Sequence, residues 1–264
     1  MLEELFLSAQ WRSRKESLHQ CAARAWPFFR ELGNFDSAFG QWAHGGHSRQ
    51  DTLSRKFLPN PEKFRDLLAK GRNHYDTDRR VIEELGYSFS LWNCLDEPES
   101  IHLRVGCGMY PPPHVPFPNR CDIELSSVQN YEENKLMRAG TLLKLMEVIV
   151  RHWDPDCGCV STFQMDETAL PERHEYTGLR PGWLNYISDK WGPVPPLGEP
   201  YEVTRIDGFG SLVVIEGIDM ITVSNPEHVR MVRDLWERMR EAGLVLRHSG
   251  KRWIELPPYG TPVR

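Results

Sequence analysis

From Tyr87 to Ser126 three β-prone segments follow one another in quick succession: Tyr87 to Cys94, Ile101 to Cys107 and Cys121 to Ser126. Parallel neighbours need a crossover of a dozen or more residues, usually helical, so connections this short favour antiparallel pairing. A sheet of that kind needs an apolar cover, and the sequence supplies one. Between about Asn134 and Trp153, Leu136, Ala139, Leu143, Met146, Val150 and Trp153 recur at spacings of three and four. Leu142, Leu145 and Ile149 widen that stripe, and Lys144, Glu147 and Arg151 face away from it, which is the pattern of a helix lying across a sheet.

The remaining elements extend the same plan. Residues 2 to 11 read as a strand, and Ser13-Arg14-Lys15-Glu16 reads as a capping box opening a helix. That helix presents Leu18, Cys21, Ala22, Ala25, Phe29 and Leu32, kinks at Pro27 and stops at Gly33. Shorter helices are expected from Asn60-Pro61-Glu62 and from about Asp78 to Leu85. Further strands are expected at Val160 to Met165, Tyr201 to Asp207 and Ser211 to Glu216, the last two forming a hairpin around Gly208-Phe209-Gly210. A final helix opens at Ser224-Asn225-Pro226-Glu227 and ends at Gly243, before a closing strand or hairpin at Leu244 to Glu255. The sum is an α+β fold: a largely antiparallel β-sheet with helices packed on its faces, in a single composite domain spanning 1–264. Tyr110 to Asn119 holds five prolines and Gly192 to Pro200 four, so both should be stiff and extended. If there are two subdomains, they meet near 110–119.

Composition narrows the class. A hydrophobic fraction of 40%, with nine Trp and eleven Phe, belongs to a chain that buries a core. The first seven residues carry acid where an export signal carries Lys or Arg, and no apolar run approaches the roughly 18 residues of a membrane span, so a cytoplasmic protein is expected. The six cysteines lack a framework spacing and are expected as reduced thiols. The net charge of −5 is unevenly spread: residues 1 to 80 carry 14 bases against 10 acids, 81 to 229 carry 10 against 23, and 230 to 264 carry 8 against 4. So acidic a middle repels phosphates and disfavours direct nucleic-acid binding; it suits a basic protein partner.

Catalytic signals are weak by comparison. His152-Trp153-Asp154-Pro155-Asp156-Cys157-Gly158-Cys159 is rich in ligand types, but Cys-x-Cys with one nearby His does not match zinc spacing. Asp154 and Asp156 could serve a metal-dependent hydrolase, yet such a site normally adds a third acid and a lysine, and Asp154-Pro155-Asp156 reads rather as the end of the long helix and the turn into the next strand. His44 and His47 around Gly45-Gly46, and His174-Glu175, match no zinc pattern; Gly-x-Ser-x-Gly is absent, and Gly106-Cys107-Gly108 is no phosphate loop. No catalytic residue, metal site or cofactor is expected.

Trp11-x-x-Arg14-x-Glu16, Cys21-Ala22, Leu85-Gly86, Trp92-Asn93, Cys107-Gly108, Trp153-Asp154-Pro155-Asp156, Gly182-Trp183-x-x-Tyr186 and His228-Val229 fall in a recognisable order. Together they resemble immunity protein family 52 of bacterial polymorphic toxin systems, over almost the whole chain. The resemblance implies an immunity protein whose partner is a cognate nuclease toxin of the restriction-endonuclease-like class, delivered by a secretion system such as type VI. It supplies no catalytic residues. The motif residues also have structural readings: Glu16 in a capping box, Trp153 on an apolar helix face, Gly182 in a turn. Between 154 and 227 there are 13 acids and 4 bases, a composition fit to occupy a basic nuclease groove. The interface candidates are therefore Asp154, Asp156, Asp166, Glu167, Glu172 and Glu175, with Tyr176, Trp183 and Tyr186 as aromatic anchors.

Overall fold

A computed structural model describes residues 3–111, 117–170, 176–177, 180–244 and 246–247. Its strands are β1 (Glu4–Trp11), β2 (Trp42–His44), β3 (Lys56–Phe57), β4 (Tyr87–Trp92), β5 (His102–Cys107), β6 (Asn119–Ser127), β7 (Cys157–Thr162), β8 (Tyr176–Thr177), β9 (Leu184–Ser188), β10 (Tyr201–Ile206), β11 (Gly210–Ile215) and β12 (Leu246–Arg247). Its helices are α1 (Leu18–Phe35), α2 (Arg49–Ser54), α3 (Pro61–Lys70), α4 (Ala139–Trp153), α5 (Phe163–Ala169) and α6 (Pro226–Glu241). Ten strands make one sheet in the order β10-β11-β9-β7-β1-β6-β5-β4-β2-β3, while β8 and β12 pair separately. Every neighbouring pair in the large sheet is antiparallel.

Alternation along β1 decides what covers each face. Leu5, Leu7, Ala9 and Trp11 are buried on the side of α1 and α4, where Trp11 stacks on Trp153 at 5.7 Å and Phe28 meets Trp153 edge-on at 5.8 Å. Phe6, Ser8 and Gln10 point the other way, and there Phe6 packs on Phe163 of α5 at 4.8 Å. The two helices therefore lie on opposite faces. α6 sits beside α5, its Arg233 donating to the carbonyls of Thr168 and Ala169, and reaches the far end of the sheet, where Tyr201 of β10 donates to the Met231 carbonyl and to Asp234. On the α1 side Phe29, Phe64 and Phe89 join α1, α3 and β4, with Phe29 and Phe64 stacked at 4.3 Å.

Several boundaries differ from those expected. α1 begins at Leu18 rather than Ser13, with Ser17 as its cap and Gln20 completing the box. Residues 12 to 16 stay outside the helix because Arg14 N–H donates to the Met109 carbonyl and the Glu16 carboxylate is drawn to two arginines. The helix passes Pro27 and Gly33 to end at Phe35. α4 starts at Ala139, since Arg138 is extended and Lys135–Met137 forms a separate 3-10 turn. Only Glu83–Leu85 is helical in the 78–85 stretch, because Tyr75 and Ile82 N–H groups pair with Arg80 and Asn73 carbonyls across a tight turn. The strand expected to reach Met165 stops at Thr162, whose hydroxyl accepts from Met165 N–H and caps α5. Of the closing segment only Leu246–Arg247 is described, as a strand against Tyr176–Thr177; in the first proline-rich stretch residues 112–116 lie outside the described residues.

No helix among the described residues is long and apolar enough to cross a membrane. All six cysteines are free and buried, and burial pushes the Cys121, Cys157 and Cys159 thiols up.

Candidate functional site

The Trp-Arg-Glu and Trp-Asp-Pro-Asp motifs, 140 residues apart in sequence, meet at the C-terminus of α4. The last carbonyls of a helix lack intrahelical donors. Here Arg14 donates to the Trp153 carbonyl at 2.8 Å and Arg24 to the His152 carbonyl at 3.0 Å. Glu16, 6% exposed, holds both guanidiniums, at 3.1 Å from Arg14 Nε and 2.7 Å from Arg24 Nε. Arg14 also lies 5.2 Å over the Trp11 ring, on the indole that stacks against Trp153. Asp154 takes the left-handed conformation that ends the helix, φ 47°. Asp156 is fully buried and accepts Arg12 N–H at 2.7 Å. These motif residues build a junction between β1, α1 and α4.

That geometry also bears on Asp154 and Asp156 as hydrolase groups. Lys190 lies 2.7 Å from Asp154, and the Arg12 guanidinium 3.7 Å from Asp156. Cations of the chain itself already occupy the carboxylates. Among the described residues no group of three His, Cys, Asp or Glu side chains gathers to hold a metal ion.

The interface candidates read from sequence separate in space. Trp183 and Tyr186 are buried at 1% and 0%, with Tyr186 donating to the Phe209 carbonyl, so neither offers an aromatic anchor on this surface. Their motif has a packing reason: a Cβ on Gly182 would lie 2.2 Å from the Val160 carbonyl oxygen. Asp166 is buried as well, accepting from Ser161 at 3.1 Å with Arg180 at 3.6 Å. Glu167 is exposed on α5 and Asp154 half-buried. Glu172 and Glu175 lie outside the described residues, and Tyr176 contributes the backbone of β8.

A surface that motif reading missed lies on the face of β7, β1, β6, β5 and β4 turned away from α1 and α4. Ser90, Arg104, Asp122, Ser8 and Cys159 stand side by side in one register row, and Trp92, His102, Glu124 and Phe6 in the next. Two hollows, of about 270 and 460 Å³, share Arg104 and Glu124 and so form one trough. The first is walled by α5, where the Phe163 ring packs at a tilt against Phe6 yet stays 52% exposed. Asp122 sits deep in it: burial pushes its carboxyl above the usual carboxylate range, against the pull of Ser8, which donates at 2.7 Å, and of Arg120, 3.2 Å away at the rim. The second hollow opens onto the β4–β5 loop, where Asp96, Glu97 and Glu99 are exposed. The signal was present in the strands: Ser8, Gln10, His102, Arg104, Asp122 and Glu124 alternate with buried apolar residues, the pattern of a sheet with one wet face.

Fold and site together define an α+β protein built on one antiparallel sheet, a polar, concave part of one face of which is not covered by any of the described residues. The chain belongs to the immunity protein 52 family, whose profile matches residues 3–248. It is thus an immunity protein by family. No curated protein sequence matches it. Among solved structures it is similar to the Pseudomonas aeruginosa T6SS protein PA0821, at 10% identity and a TM-score of 0.47 over 99% of this chain and 80% of that one, a likeness too distant to carry an argument.

Proposed function

We propose that this chain neutralises a cognate nuclease toxin by stoichiometric protein–protein binding in the cytoplasm, without turnover. The observation that carries the reading is membership of an immunity family over residues 3–248. A nuclease is basic where it holds nucleic acid, and the middle of this chain, residues 81 to 229, carries 23 acids against 10 bases, a complement that steers such an encounter. Asp154 and Asp156 already serve as ends of ion pairs and hydrogen bonds within the chain, which supports a structural role for them over a hydrolytic one. Delivery of the toxin by a secretion system such as type VI is part of the same proposal. The test is a nuclease assay with the toxin domain encoded beside this chain's gene, titrated with purified chain. Inhibition should be complete near a one-to-one ratio. Full inhibition at strongly substoichiometric ratios would point to an enzyme that modifies the toxin.

A further inference from the structure

We infer that the trough across β7, β1, β6, β5 and β4 is the docking surface for the toxin, taking a cationic segment at its β4 end and an apolar side chain against Phe163. The inference rests on the proposed immunity function and names the surface that performs it.

Three features single this face out. First, among the described residues coverage is one-sided: α1 and α4 close one face of the central strands, while α5 covers the other only over β7 and β1. Second, the charge is graded. At the β4 end Asp96, Glu97 and Glu124 line the opening, three acids against two bases: Arg49, which Asp96 holds at 2.6 Å, and Arg104, which stands beside Asp122 in the register row. Glu97 accepts hydrogen bonds from Ser126 and Asn130, which fixes its carboxylate at the rim with its charge uncompensated by those neutral donors. A lysine- or arginine-bearing segment of a nuclease is the complement of such an end. Third, at the other end the exposed Phe163 ring is held against Phe6, so it is presented without the entropy cost of ordering a free side chain. Aromatic residues fixed in that way are typical of the few positions that dominate an interface.

The experiment is a kinetic binding assay against the catalytically inactivated toxin domain encoded beside this gene, at two ionic strengths. Two trough variants are compared with the parent chain: the double substitution Glu97→Gln, Glu124→Gln, and Phe163→Ala. Glu62→Gln on the exposed side of α3, part of the opposite, helix-covered face, is the control. The double variant should associate about fivefold more slowly at low salt, with the difference shrinking at high salt. Phe163→Ala should dissociate about 10- to 30-fold faster, and the control should match the parent. Circular dichroism establishes that each variant is folded, and hydrogen exchange on the parent complex maps protection independently of any substitution. A parent chain that binds the toxin while both folded trough variants keep its kinetics, or protection confined to α1 and α3, overturns the docking surface and leaves the immunity function standing. A parent chain that does not bind the toxin overturns the function itself.

Discussion

Replacing Glu16 by Gln should be among the most damaging single-atom changes available in this chain. The carboxylate is 6% exposed and receives Arg14 at 3.1 Å and Arg24 at 2.7 Å. Each charge-assisted hydrogen bond is worth about 1.5–3 kcal/mol. The two arginines are 24% and 34% exposed, so water recovers part of the loss, and Gln retains one acceptor oxygen. The net cost should be about 2 to 3 kcal/mol, and for a chain of this size that lowers Tm by roughly 5 to 10 °C. The loss extends beyond the carboxylate, because Arg14 and Arg24 also cap the α4 carbonyls and Arg14 covers Trp11. Urea unfolding followed by the fluorescence of the nine tryptophans, two of which stack at this junction, measures the effect. Glu31→Gln is the comparison: that carboxylate meets Arg151 and His152 on the same helix end but is 37% exposed, and its removal should cost below about 1 kcal/mol. Glu16→Gln combined with Arg24→Gln should cost less than the two changes separately. A Glu16→Gln variant no less stable than Glu31→Gln would refute the buried junction as a source of stability.

Gly71→Ala should give little or no folded protein, because the new Cβ would lie 1.7 Å from the Ser88 carbonyl oxygen; a soluble variant with parental Tm would contradict the placement of α3 against β4. The six buried thiols should react with a thiol reagent slowly in the native protein and fast in denaturant, and two or more rapid native equivalents would contradict their burial. Burial pushes the Asp36 carboxyl up, but Ala38 N–H and Lys135 outweigh it and hold it below the usual carboxylate range. A lowered folded-state value means stability that is present above the unfolded pKa and lost as pH falls through the folded one. The penalty of Asp36→Asn should therefore be seen at neutral pH and fade below about pH 4. Urea midpoints across pH measure it, and a penalty undiminished at about pH 2.5 would oppose the assignment.

The sheet-and-helix plan was legible because it rests on periodicity. β1, β4, β5 and α4 lie close to their expected places, since alternation and the three-four stripe survive any tertiary context. β2 and β3 were not legible: they hold three and two residues, too few for a period to register, and exist because β4 offers an edge. Cap chemistry misled at Ser13, where a serine and a glutamate stood at box spacing but the glutamate was committed to Arg24, eight residues on. At the site, reading acids and aromatics as surface failed for Asp166, Trp183 and Tyr186, because burial of a polar or aromatic group depends on partners that only the fold brings near. The trough was legible in principle, through the polar half of β1, β5 and β6, but no motif marks it.

The position of β1 has a consequence for how the chain acquires its structure. The first strand in sequence is an interior strand of the sheet, held between residues 119–127 on one side and 157–162 on the other. During synthesis it waits for both partners, the second of which is more than 140 residues downstream. Until then its amide edges are open to foreign strands. Contacts so distant in sequence close slowly, so the pairing of β1 with β7 is expected to form late in folding.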